Sequence, residues 1–238
     1  MNALDALRTK IFGDGADLTT IAELSRLPYI RGFTTNPTLM RKAGVRDYVS
    51  FAQEAIAAVG SRPISFEVLS DDFADMERQA RIITSWGGNV YVKIPITNTR
   101  RDSARDLIRR LSRDGVKVNV TGVLTIEQVE EAAQALRGGA PANISFFAGR
   151  VADTGRDPLP LVTCALRMLE PAPQIELIWA SPRELLNIFQ ASEIGCPIIT
   201  VTNDILKKLT LVGKDLTDFS AETVQMFVDD ARAAGYTL

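Results

Sequence analysis

Eight times along this chain a short apolar run gives way to a helical segment, and that alternation constrains the fold more than any other feature. The runs are TKIFG (9–13), RGFTT (31–35), PISFEV (63–68), NVYVKIP (89–95), VKVNVT (116–121), NISFFA (143–148), IELIWA (175–180) and PIITVT (197–202). Helical patterns follow each in turn: through Ile21 and Leu24, up to Val59, Asp71 to Trp86, Asp102 to Ser112, Glu127 to Leu136, residues 158–170, Ser181 to Ser192, and Asp204 to Leu211. Nearly every run is apolar on both faces, as a strand covered on both sides must be. Alternating strands and helices make parallel sheets, and eight units in 238 residues suit closure into a (β/α)8 TIM barrel. A doubly wound open sheet is the alternative, disfavoured because no glycine-rich loop follows the first strand. A last amphipathic stretch, Ala221 to Ala233, has no partner strand. The expected organisation is one α/β domain over 1–238, a single (β/α)8 barrel. Residues 220–238 form a C-terminal helical extension, packed on the outside or on a neighbouring subunit.

Composition excludes several functions. With 27 basic and 29 acidic residues the net charge is −2, which offers nothing general to nucleic acid or to an acidic membrane surface. No apolar stretch reaches membrane-spanning length, and MNALDALRTK is too polar to open a signal peptide, so a cytoplasmic protein is expected. Cys164 and Cys196 form no metal or redox motif and read as buried free thiols of a reducing compartment. There is no histidine, which removes Ser-His-Asp and Cys-His catalysis and histidine-based metal sites. Acid–base chemistry must then use carboxylates, lysine, tyrosine, hydroxyls or water.

Lys93 is the residue that points to chemistry. It lies among Val90, Tyr91, Val92, Ile94 and Ile96, branched and aromatic side chains that suit a buried strand. An ammonium there loses hydration that the strand's own neighbours cannot replace, and burial favours the neutral amine, which attacks carbonyls. The plainer alternative is a lysine with its head in solvent or in an ion pair. Polar residues at the carboxyl ends of the other strands strengthen the first reading, because barrel active sites sit there. They are Asp14, Asn36, Glu67, Asn119, Thr121, Ser145, Arg150, Ser181 and Arg183. Singly each has a structural role to offer: Asp14 as a turn residue, Asp17 as a helix cap, Asn36 as a turn before Pro37. Arg150 and Arg183 suit phosphate, and Ser181 before Pro182 suggests a helix N-cap that would also attract an anion. Arg100, Arg101, Arg105, Arg109, Arg110 and Arg113 recur beside acidic residues at helical spacing and read as a solvated helix face.

Five segments in order carry a resemblance: TTNPTL (34–39), VYVKIPIT (90–97), NVTGVLT (119–125), ISFFAGRVAD (144–153) and WASPRE (179–184). The chain resembles the transaldolase family, including its short relatives the fructose-6-phosphate aldolases. That resemblance implies a Schiff-base barrel enzyme acting on sugar phosphates, with no metal or cofactor, and an oligomer. It implies Lys93 as nucleophile, Glu67 with a water on Thr121 as proton shuttle, and Asp14 as the base whose action breaks the carbon–carbon bond. Asn36, Asn119 and Ser145 would hold the dihydroxyacetone unit, and Arg150, Ser181 and Arg183 the phosphate. Aldolase-type relatives carry Gln and Tyr where this chain has Glu67 and Phe147. A phenyl ring supplies no proton to the enamine, which favours transfer over release of dihydroxyacetone. A lyase on fructose 6-phosphate and a non-catalytic phosphosugar-binding barrel are the competing readings.

Overall fold

The computed structural model describes residues 6–238. The beginning of the amino-terminal segment, read above as lacking a signal peptide, lies outside the described residues. Eight strands close in sequence order into a parallel barrel: β1 (Lys10–Asp14), β2 (Ile30–Thr34), β3 (Ile64–Glu67), β4 (Val90–Pro95), β5 (Val118–Val123), β6 (Ala142–Phe146), β7 (Ile175–Trp179) and β8 (Ile198–Thr202). Strand β1 pairs with both β2 and β8, so no sheet edge remains. The eight expected strands are all present, and the barrel is closed rather than an open sheet.

The helices are α1 (Leu18–Ser25), α2 (Pro37–Lys42), α3 (Tyr48–Val59), α4 (Phe73–Thr84), α5 (Arg105–Arg113), α6 (Ile126–Leu136), α7 (Ala148–Ala152), α8 (Leu159–Leu169), α9 (Leu186–Glu193), α10 (Asn203–Leu206) and α11 (Leu216–Ala233). Side-chain oxygens set several starts: Asp17 caps α1, Asn36 caps α2, and Thr125 with Gln128 makes a capping box on α6. Two prolines open α8, Pro158 at its N-cap and Pro160 in its first turn, where a missing N–H costs nothing. The strands' outer side chains, such as Phe66, Ile94, Val120 and Ile144, are fully buried. Alanines 52, 55, 80, 132 and 165 are buried with them, which lets the helices approach closely. Each such Val, Ile or Phe contributes ~1.5–3 kcal/mol of burial.

Inside the barrel, Phe12, Ile178 and Ile198 form a separate apolar cluster. Gly32 makes room for it: a Cβ at that position would lie 2.5 Å from the Phe12 ring. At the opposite end of β1 from Asp14, Lys10 Nζ lies 2.6 Å from the Glu176 carboxylate.

Four expectations need correction. Helix α9 begins at Leu186, and Ser181 is no N-cap but a left-handed residue with φ 61°. Strand β6 ends at Phe146, because Phe147 turns the chain into α7, a helix the apolar run FFA concealed. Cys164 is exposed on α8; only Cys196 is buried, its thiol pushed up to about 12 by burial. The carboxyl-terminal helix starts at Leu216, where Asp215 accepts from the Thr217 and Asp218 backbone N–H groups. The arginine face is solvated as expected, with Arg110 and Arg81 both paired to Glu77. No helix of the described residues is long and apolar enough to cross a membrane.

Candidate active site

Lys93 stands on the inner face of β4, 5% exposed, and parallel pairing fixes what surrounds it. Glu67 is its register partner on β3 and Asn119 its partner on β5. Nζ lies 3.0 Å from Glu67 Oε2 and donates to the Thr35 carbonyl oxygen at 2.9 Å. Among the described residues, no other residue of β4 hydrogen-bonds the amine; it is held in an ion pair, the contact that the plainer reading of the sequence named. The replacement for water comes from the ends of β2 and β3, which parallel pairing of consecutive strands brings near. Thr35 is itself held, donating through its hydroxyl to the Ser65 carbonyl at 2.9 Å. The backbone carbonyl of Glu67 accepts from the Tyr48 hydroxyl of α3 at 2.8 Å, which fixes the strand end. Burial raises the tyrosine's own pKa.

Asp14 ends β1, with Thr34 as its register partner on β2 and Thr202 on β8. Its Oδ1 accepts from the Thr34 hydroxyl at 2.7 Å. Desolvation pushes the carboxyl above its usual range and Glu67 adds to that, while Lys93 and the Thr34 hydrogen bond pull the other way. A carboxylate so placed is a better base than an exposed one.

These residues line a cavity of about 490 Å3 at the carboxyl ends of the strands. Its walls bring together Asp14, Asn36, Glu67, Lys93, Thr121, Ser145, Phe147, Arg150, Ser181 and Arg183, ten of the eleven residues singled out from sequence. Asn119 is the exception. Fully buried beneath the wall, it donates to Ser65 Oγ at 3.1 Å and accepts from Ser145 Oγ at 2.8 Å, which orients the serine. Asn36 spends its carbonyl oxygen on the Leu39 N–H at 3.0 Å. Its amide nitrogen makes no hydrogen bond among the described residues. Sequence reasoning passed over Thr34, Lys42, Thr200 and Thr202, which line the same cavity.

The two arginines occupy the rim from different elements. Arg150 comes from α7, and Arg183 from the loop between β7 and α9. Arg183 Nε donates to Asp153 at 2.8 Å and Nη1 to Ser181 Oγ at 2.9 Å. The guanidinium holds the Asp153 carboxyl below its usual range. Gly149 lets these segments touch: a Cβ there would lie 1.6 Å from the Ser181 carbonyl oxygen. A buried amine beside a carboxylate, a desolvated carboxylate across from it and a cationic rim suit covalent chemistry on the carbonyl of an anionic substrate.

Residues 11–238 match the family model described as transaldolase/fructose-6-phosphate aldolase. A "Probable transaldolase" of Thermoanaerobacter sp. (strain X514) is 35% identical over 227 residues, covering 95% of this chain and 98% of that one. A "Probable transaldolase" of Dehalococcoides mccartyi is 35% identical over 201 residues, 84% of this chain and 89% of the relative. Among solved structures, a candidate dihydrodipicolinate synthase family protein from Coccidioides immitis superposes with a TM-score of 0.56. At 14% identity, over 81% of this chain and 67% of that one, the likeness is of fold alone.

Proposed function

Because the chain belongs to the transaldolase/fructose-6-phosphate aldolase family, we propose that it is a Schiff-base transaldolase, moving a dihydroxyacetone unit from a ketose phosphate such as fructose 6-phosphate to an aldose acceptor. The observation that carries this reading is the Lys93 amine, 3.0 Å from Glu67 at the bottom of a cavity whose rim is cationic. Lys93 Nζ adds to the keto carbon, and the carbinolamine loses water as Glu67, through a water held by Thr121, moves the protons. Asp14 then takes the proton of the hydroxyl next to the scissile bond. As that hydroxyl becomes an aldehyde, the carbon–carbon bond breaks and its electron pair flows to the iminium nitrogen, leaving an enamine on Lys93. Attack of the enamine on the acceptor aldehyde forms the new bond, and hydrolysis frees the lysine. Asn36 and Ser145 hold the three-carbon unit, the serine positioned by Asn119. Arg150, Ser181 and Arg183 hold the phosphate, Arg183 while still engaged by Asp153.

Transfer is favoured over net cleavage by Phe147, whose ring lines the cavity without a proton to give. We infer further that it acts in the cytoplasm on sugar phosphates, as the family's substrates suggest, without nucleic-acid or membrane partners, and as a homo-oligomer, which the exposed apolar residues of α11 support.

Borohydride reduction in the presence of fructose 6-phosphate, followed by intact-mass and peptide analysis, tests the reading. A three-carbon adduct is expected on Lys93, and none on the Lys93→Met protein. An adduct on another lysine, or none, overturns it. Incubation without an acceptor separates the branches: free dihydroxyacetone released as fast as transfer proceeds would favour the lyase.

A further inference from the structure

Two hydroxyls stand in line behind Asp14, from strands that are not neighbours. Thr34 of β2 lies 2.7 Å from Asp14 Oδ1, and the Thr34 and Thr200 hydroxyl oxygens lie 2.5 Å apart. Thr200 belongs to β8, so this contact reaches over β1, which pairs with both strands. Gly32 and Thr34 share a face of β2, as do Ile198 and Thr200 of β8. The threonine pair therefore sits one layer above the Phe12 cluster, at the floor of the cavity. Both threonines are nearly buried, at 2% and 4% exposed.

We propose that Thr200 is a positioning residue for Asp14, acting through Thr34: its hydroxyl donates to Thr34 and so commits Thr34's only proton to the carboxylate. The assignment of roles follows from proton counting. An ionised carboxylate only accepts, so the proton between Thr34 and Asp14 is Thr34's. A hydroxyl has one proton to give, so the proton between the threonines is Thr200's. Linked donors polarise one another, which makes the bond to Asp14 stronger than a lone threonine's. The remaining charged groups facing Asp14 are Glu67 on β3 and Lys93 on β4. Lys42 of α2, Arg150 of α7 and Arg183 line the same cavity. The chain of hydroxyls gives the carboxylate a fixed orientation that neither Glu67, already on Lys93, nor the rim arginines supply. The proposal rests on Asp14 being the base of the reaction above.

The test reads Asp14 directly. Protein carrying 13C-carboxyl aspartate is titrated by NMR, the Asp14 signal being the one missing from Asp14→Asn. Thr200→Val removes the hydroxyl at constant shape; Thr200→Ser keeps it. A hydrogen bond to the ionised form holds a pKa down, so the valine variant should titrate ~0.5 pH unit or more above the wild type. The serine variant should match the wild type, and the acid limb of kcat/KM should move with the titration. If valine fails to fold, Thr200→Ala takes its place. A midpoint unchanged in the folded valine or alanine variant overturns the proposal. So does a midpoint that moves equally in the serine variant, which keeps the hydroxyl, because the shift would then follow any change at this position and not loss of the donor. The titration needs no turnover, so it separates this inference from the proposed function. A shifted midpoint without a borohydride adduct keeps Thr200's role and removes the Schiff base; an adduct with an unmoved midpoint does the opposite.

Discussion

Asp14 is placed where its charge works against the fold. Desolvation is the largest influence on it, and the net effect is a pKa above the usual 3.8. A carboxyl raised in this way leaves stability full below the unfolded pKa and lost as pH climbs through the folded value. Asp14→Asn removes the charge, keeps an acceptor for Thr34 and leaves Lys93 paired to Glu67. The variant should therefore melt above the wild type at neutral pH, with the gap closing below about pH 4, while activity falls ~100-fold or more. Thermal melts across pH 3–8 check this, and a gap independent of pH would mean that the carboxylate carries no penalty. Lys93 stood out from sequence because a charge inside an apolar strand has few structural uses, and Asp14 only through its place after the first strand and the family resemblance. Thr34 and Thr200 did not. Threonine is an ordinary strand former, and a contact across 166 positions exists only once the barrel closes.

The junction of β6, α7 and β7 shows where element-level reasoning stopped. Apolarity continues through Phe146, Phe147 and Ala148, so the run gave no sign that the chain turns at Phe147. The Phe147 N–H still completes the ladder with the Val123 carbonyl of β5 at 2.8 Å, and the chain leaves the sheet through the residue's own ψ of 61°. Ser181 misled in the opposite direction, since Ser-Pro usually opens a helix, whereas here the residue adopts φ 61° against Gly149. The two misplacements belong together. Gly149 without a side chain is what allows α7, carrying Arg150, to touch the segment carrying Ser181 and Arg183. Gly149→Ala would press a methyl onto a backbone carbonyl that has no rotamer to escape through. Overpacking of this kind costs ~1–3 kcal/mol. Because the loop and not the barrel must yield, KM for fructose 6-phosphate should rise ~10-fold or more, with little change for unphosphorylated fructose as donor. Equal losses on both substrates would place the damage in the barrel and sever the link between Gly149 and the phosphate rim.

At the scale of the whole molecule, α11 is the element that the barrel leaves unexplained. None of its 18 residues is buried, and Phe227, Val224 and Met226 are 61%, 56% and 50% exposed. At about 100° per residue, Leu216, Phe219, Met226, Phe227, Val224 and Val228 spread over more than half the helix circumference. Asp218, Glu222, Gln225, Asp229 and Arg232 hold the remainder. The helix has local supports: the Asp215 cap, the Lys214–Glu222 pair and Gln225 donating to Asp229 at 3.0 Å. Helices in proteins draw most of their stability from packing an amphipathic face, and a broad apolar arc is disfavoured unless something covers it. Sequence patterning foresaw an amphipathic extension but could not say that its own barrel would decline to cover it. A homo-oligomer in which α11 packs on a neighbouring copy resolves that conflict. Light scattering should find the full chain above monomer mass, with a melting temperature that rises with protein concentration. Truncation after Gly213, and Phe227→Glu within the intact helix, should each lower the mass while leaving the barrel's circular dichroism in place, because α11 contributes no buried residue to it. A full-length monomer would refute the idea outright. An oligomer untouched by either change would move the interface to the barrel wall and leave α11's apolar arc in need of another occupant.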